Sequence, residues 1–169
     1  MLQKILFILL ISTTVVAQQP QQRGRHGAPV LREISDLKVI QSVYAAATAT
    51  KKINDFWSKI VDGKGKVYGY ALTSLDHCKD VKGYANATPI LIVTDKKKVI
   101  QKVGMLSNYE TPSYVSRLEN AGYFKTWVGK DVREAKVSKL DGYTGATLTA
   151  KAVAKNVDFL LDSAVKKMP

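Results

Sequence analysis

The sequence predicts an α+β fold: an antiparallel β-sheet packed with helices, with a long helix at the C-terminus. Three observations carry that expectation. Between Ile53 and Ser107 lie four short runs rich in β-branched and aromatic residues, "INDFWSKIV", "KVYGYALTS", "TPILIVTD" and "VIQKVGMLS". The turn sequences "DGKGK" and "DKKK" join the first run to the second and the third to the fourth, as in antiparallel hairpins. Beyond them the apolar period lengthens, and Val153, Val157, Leu160, Leu161 and Ala164 form a stripe at helical spacing. A chain of 169 residues suits one domain with a real core.

Before the strands, Lys4 precedes an apolar run from Ile5 to Val16, and Val15-Val16-Ala17 is a small-residue cleavage site. Residues 1–17 therefore read as a cleavable signal peptide, short for a membrane span. No cysteine follows the cleavage point to carry a lipid anchor, so the mature protein is expected to be periplasmic or secreted. Residues 18–30, "QQPQQRGRHGAPV", are polar and broken by Pro and Gly, which predicts a flexible linker. The folded domain then spans residues 31–169. It opens with "LREISDLKVIQSVYAAA", where Leu31, Ile34, Leu37, Val39 and Ile40 suggest a short amphipathic helix.

Within the strand region, Lys96 to Lys98 read as a solvated hairpin tip, or as a dock for an acidic partner. Thr111-Pro112 then suits a helix start, with Pro in the first turn and Tyr114, Val115 and Leu118 on one face. Lys166 and Lys167 suit the negative end of the last helix.

Lys and Arg number 26 against 14 Asp and Glu, a net charge of +12 spread along the chain. That field favours anionic ligands and acidic surfaces. Nucleic acid is not expected, because no basic block carries interleaved aromatics and the chain is exported. Cys78 is the single cysteine, so no internal disulfide forms, and its neighbour His77 makes a poor thiol partner or co-ligand.

The stretch "DGYTGATLTAKAVAKNV", Asp141 to Val157, holds the densest chemistry. Gly142 and Gly145 permit a tight turn and close approach of a ligand. Amides at Ala146, Thr147 and Leu148 would face out of the helix start, where the dipole favours an anion. Neither a P-loop nor a dinucleotide fingerprint is present. On these residues alone, a plain turn with a capped helix remains an equal alternative.

Asp141-Gly142-Tyr143-Thr144-Gly145-Ala146-Thr147 resembles the covalent flavinylation motif of the FMN-binding domain family. That family includes the C subunit of the sodium-pumping NADH:quinone oxidoreductase and the G subunit of the Rnf complex. "VKGYANATPILIVTD" resembles the family's Gly-Tyr segment, and "NYETPSYVSRL" its Glu-Thr-Pro segment. Order and spacing agree from about Lys52 to the C-terminus. Ala85 and Asn86 depart from a glycine common in the family, and a leader stands where the respiratory-complex members have a membrane anchor. The resemblance is thus to the small, exported, single-domain branch.

The resemblance implies FMN bound covalently through its phosphate to the hydroxyl of Thr147, with the long helix starting at the flavinylation motif. A separate flavin transferase, dependent on FAD and a divalent metal, would attach FMN and release AMP. Gly145 and Ala146 would give the transferase access, and Asp141 would belong to the recognised motif. Thr144 and Thr149 would bond phosphate oxygens or cap the helix. Glu110 and Thr111 would meet the isoalloxazine or ribityl chain, and Tyr84 would stack on the ring or pack in the core. The implied role is an exported carrier shuttling electrons between donor and acceptor proteins, acidic or membrane-bound. The alternatives are a flavin-dependent reductase acting directly on a small or extracellular acceptor, and a non-redox module holding a phosphorylated ligand.

Overall fold

The computed structural model describes residues 29–135 and 145–169. The signal peptide, most of the linker, and Asp141 and Thr144 of the motif lie outside the described residues. Five strands form one sheet in chain order: β1 (Ala49–Lys52), β2 (Trp57–Val61), β3 (Val67–Thr73), β4 (Ile90–Asp95) and β5 (Ile100–Met105). Each is antiparallel to its neighbour. The four expected strands are β2 to β5. β1 was not expected, because "ATKK" is exposed along its whole length and carries no alternation. It exists by pairing with β2 from Ala49↔Val61 to Lys52↔Ser58.

The hairpin turns are organised by aspartates, whose side-chain oxygens bind amides ahead of them. Asp62 Oδ1 accepts from Lys64 and Lys66 N–H, each at 2.9 Å, and Asp95 Oδ1 accepts from Lys97 at 2.8 Å and Val99 at 3.0 Å. At the second tip, Lys96 and Lys97 are exposed, whereas the Lys98 ammonium lies 3.9 Å from the centroid of the Tyr70 ring.

The first helix, α1 (Asp36–Gln41), is shorter than the apolar spacing suggests. The Ser35 hydroxyl accepts from Lys38 N–H and starts the helix there. Upstream, Arg32 exchanges backbone hydrogen bonds of 2.8 and 3.1 Å with Asn108, so that segment runs extended. Pairing with the end of the sheet overrides the helical pattern.

The second helix, α2 (Pro112–Asn120), begins after Thr111 as expected and is followed, past a left-handed Gly122, by a separate 3-10 turn, Tyr123–Trp127. The last, α3 (Thr147–Lys166), buries all five residues of the predicted stripe. These elements cover one face of the sheet: Trp57, Leu72, Ile90 and Ile92 pack with Val115, Leu118, Trp127, Val157 and Leu161. The other face, with Ile60, Ala71, Leu91 and Val93, packs under Val39 and Ile40 of α1. Successive β4 residues alternate between the two layers, as strand geometry requires. Hydrogen bonds fix α3 at both ends: Tyr123 Oη donates to Ala150 O at 2.7 Å, and Trp57 Nε1 donates to Ala164 O at 3.0 Å.

Candidate functional site

Thr147 is the first residue of α3 and is half-buried. Ala146 before it is buried and supplies no side-chain cap, and Gly145 adopts the left-handed conformation at φ +83°. A side chain at 145 is blocked twice over. The backbone conformation disfavours it, and a Cβ would collide with Nη1 of Arg117, which reaches across from α2. The motif glycine thus lets an exposed guanidinium lie against the chain two residues before the threonine.

Two residues after Thr147, the opposite side of the site is built around a buried carboxylate. Glu110 is 1% exposed. Its Oε2 accepts from Tyr84 N–H at 3.1 Å and from the Thr149 hydroxyl. Its Oε1 accepts from Ala85 N–H at 2.9 Å and, more weakly, from Asn86 N–H at 3.4 Å. Asn108 Oδ1 accepts the Glu110 amide at 3.0 Å. Three backbone amides and a hydroxyl therefore take the place of water around this buried carboxyl group. The arrangement needs Gly83, since a Cβ there would lie 2.7 Å from Glu110 Oε1 and 2.8 Å from Thr88 Cγ2. Further along the same face of α3, Asn156 Nδ2 donates to Thr88 O at 2.9 Å and fixes the exit of the loop into β4.

Tyr84, at the crest of this loop, is 50% exposed. Its ring meets that of Tyr114 on α2 edge-on, with centroids 5.1 Å apart and planes at 86°. Thr111 is the N-cap residue of α2 and makes no side-chain cap bond.

Of the residues expected at the site, Thr147, Ala146, Gly145, Thr149, Glu110, Thr111 and Tyr84 lie on three segments joined by these contacts. The hydroxyl of Thr149 and the carboxylate of Glu110 face each other inside the protein. Arg117, Tyr114, Gly83 and Asn156 were not foreseen. Gly83, Tyr114 and Arg117 lie within the two family-like segments without a role having been assigned to them, and Asn156 is a polar residue seven positions after Thr149, hence on the same side of the helix.

Cys78 stands apart from these segments. It is buried, which pushes its thiol pKa up, and the ring of neighbouring His77 stacks on Phe56 at 4.6 Å. No group of His, Cys, Asp or Glu able to hold a metal occurs among the described residues. No helix among them is long and apolar enough to cross a membrane.

Residues 83–162 match the family model of the FMN-binding domain. The matched segment opens at Gly83, contains the Glu110 cluster and α2, and closes within α3. No curated protein matches the chain. FMN is the cofactor this match gives, and the residues present fit it. Gly145 lets the Arg117 guanidinium lie against the backbone two residues before Thr147, where a phosphate would find a cation, and the Tyr84–Tyr114 pair offers partly exposed aromatic surface to a flat ring.

Proposed function

We infer, from the match of residues 83–162 to the FMN-binding domain model together with the leader-like residues 1–17, that the chain is an exported electron carrier with FMN joined to Thr147. The observation that carries this reading is the setting of Thr147. It is the first residue of α3 and stands between a left-handed glycine and a residue anchored to the buried Glu110. Its hydroxyl sits at the start of a helix, preceded by Gly145 and Ala146, which are small enough for a transferase to approach.

A threonine hydroxyl is a weak nucleophile without assistance. In this reading the flavin transferase supplies FAD, a divalent metal and a base. Thr147 Oγ1 bonds to the flavin-side phosphorus, the pyrophosphate P–O bond breaks, AMP leaves with that electron pair, and the hydroxyl proton goes to the base. Asp141 belongs to the motif the transferase recognises, and Thr144 stands beside it as a second hydroxyl in the same motif.

Once bound, FMN exchanges electrons one or two at a time. The Glu110 bonds hold the Tyr84 loop in register with α3, and Thr111 sets the start of α2 beside it. Outside the cytoplasm free flavin is dilute, and even a nanomolar site, worth about −12 kcal/mol, empties over time. A covalent bond prevents that loss. With the leader and its Lys4 removed, 25 Lys and Arg remain against 14 Asp and Glu, a net charge of +11 that favours docking to acidic or membrane-bound donors and acceptors. Among the described residues of the site, the one buried carboxylate is engaged by protein donors, which supports a carrier over a reductase needing its own acid or base.

The test is intact mass after co-expression with and without an FAD-dependent flavin transferase. An FMN-sized addition that depends on the transferase and maps to the Thr147 peptide supports the reading. An unmodified chain that turns over small acceptors with free flavin replaces it with the reductase.

A further inference from the structure

We propose that α2 forms the second wall of the flavin site, with Arg117 facing the phosphodiester and Tyr114, paired with Tyr84, flanking the isoalloxazine. This rests on attachment at Thr147, and it fixes the direction in which the flavin leaves that residue.

Tyr114 and Arg117 are three residues apart on α2, so they share a face and are offset by about 4.5 Å along the axis. Val115 and Leu118, on the adjoining face, are buried in the core. The Tyr114–Arg117 face touches two different parts of the site. Arg117 Nη1 lies against Gly145, two residues before Thr147, and the Tyr114 ring lies against the ring of Tyr84. The loop bearing Tyr84 is tied through Glu110 to Thr149, two residues after Thr147. In sequence, Thr147 thus stands between an arginine contact at Gly145 and the tie to the aromatic loop at Thr149, and α2 reaches both segments.

The order of groups along this face matches the order of groups in the ligand. A phosphodiester on Thr147 carries one negative charge, and a guanidinium beside the attachment point meets it with charge-assisted hydrogen bonds. Beyond the phosphate the ribityl chain leads to a flat aromatic ring. Tyr114 and Tyr84 supply aromatic surface displaced along α2 from Arg117, and edge-to-face packing leaves a ring face available. Arg117 is exposed on α2, yet its guanidinium lies against Gly145 rather than extending into solvent. As ordinary core, Tyr84 would not be half-exposed.

Flavin-loaded wild type, Y84F/Y114F, R117Q and R117K test the assignment by two spectroscopic signatures. Phenols in contact with an excited flavin quench it by donating an electron, and phenylalanine keeps the packing without the donor. Y84F/Y114F should keep the FMN mass and thermal midpoint while the flavin fluorescence lifetime lengthens severalfold. The phosphorus NMR resonance of the phosphodiester should shift in R117Q and return toward wild type in R117K, with the thermal midpoint again unchanged. A lifetime equal to wild type overturns the tyrosine assignment, and an unmoved phosphorus resonance in R117Q overturns the arginine assignment. A wild type that takes no covalent flavin overturns the attachment reading itself, and this inference with it.

Discussion

The hydroxyl of Thr149 donates to the carboxylate of Glu110, joining the first turn of α3 to the segment that leads into α2. Both residues are buried, so the bond forms away from water. Thr149→Val keeps the shape and removes the donor, and should cost about 1 kcal/mol. Glu110→Gln also leaves Tyr84 N–H facing an amide, and should cost about 1.5–3 kcal/mol. Because the two residues share a bond, the double variant should cost less than the two losses combined. Denaturant midpoints of the four proteins measure this, and strict additivity would deny the bond.

Gly83 is required by space, since a Cβ there would press on Glu110 Oε1 and Thr88 Cγ2. Gly83→Ala should destabilise by about 1–3 kcal/mol, the range for overpacking a filled site. Gly63, with nothing near its Cβ position, is the control, and Gly63→Ala should leave the unfolding midpoint within the scatter of wild type. Equal midpoints for the two variants would mean the Tyr84 loop yields easily.

The fold was legible where period and turn chemistry agree. β2 to β5 carry β-branched residues between aspartate-led turns, and the α3 stripe is buried residue for residue. What was not legible depends on pairing across the chain. β1 is held by its partner alone, and residues 31–34 give up helical spacing to pair beside Asn108. The same division holds for the site. Gly145 and Thr147 stood out in a local motif. Tyr114 read as part of the apolar face of α2 with Val115 and Leu118, and Arg117 carried no signal, because no local pattern records a contact between residues 117 and 145.

Trp57 secures the far end of α3 through its bond to Ala164 O. Trp57→Phe removes that donor and leaves a smaller ring in a buried place, so it should cost upwards of about 1 kcal/mol. Amide exchange should quicken most in the last turn of α3. Uniform quickening along the helix would show that the bond has no local role.

Burial raises the pKa of Cys78, so the thiolate is scarcer than in an exposed cysteine at the same pH. Alkylation by iodoacetamide should be slow in the folded protein near neutral pH and rise with pH beyond the range of an ordinary thiol. Denaturant should make it fast. Rapid labelling of the folded protein at neutral pH would mean that the thiol is open to solvent.

The central claim is that Thr147 carries the flavin, and one comparison tests it most directly. Thr147→Ala removes the acceptor oxygen, costs at most about 1 kcal/mol as a lost hydrogen bond since Thr147 is not the helix cap, and should fold and be exported like wild type. Each protein is co-expressed with the transferase, denatured, and read by intact mass and in-gel flavin fluorescence. Thr147→Ala should carry no flavin, Thr147→Ser should carry it, and Thr144→Ala and Thr149→Ala should retain it at least in part. FMN that stays on Thr147→Ala through denaturation would contradict the account.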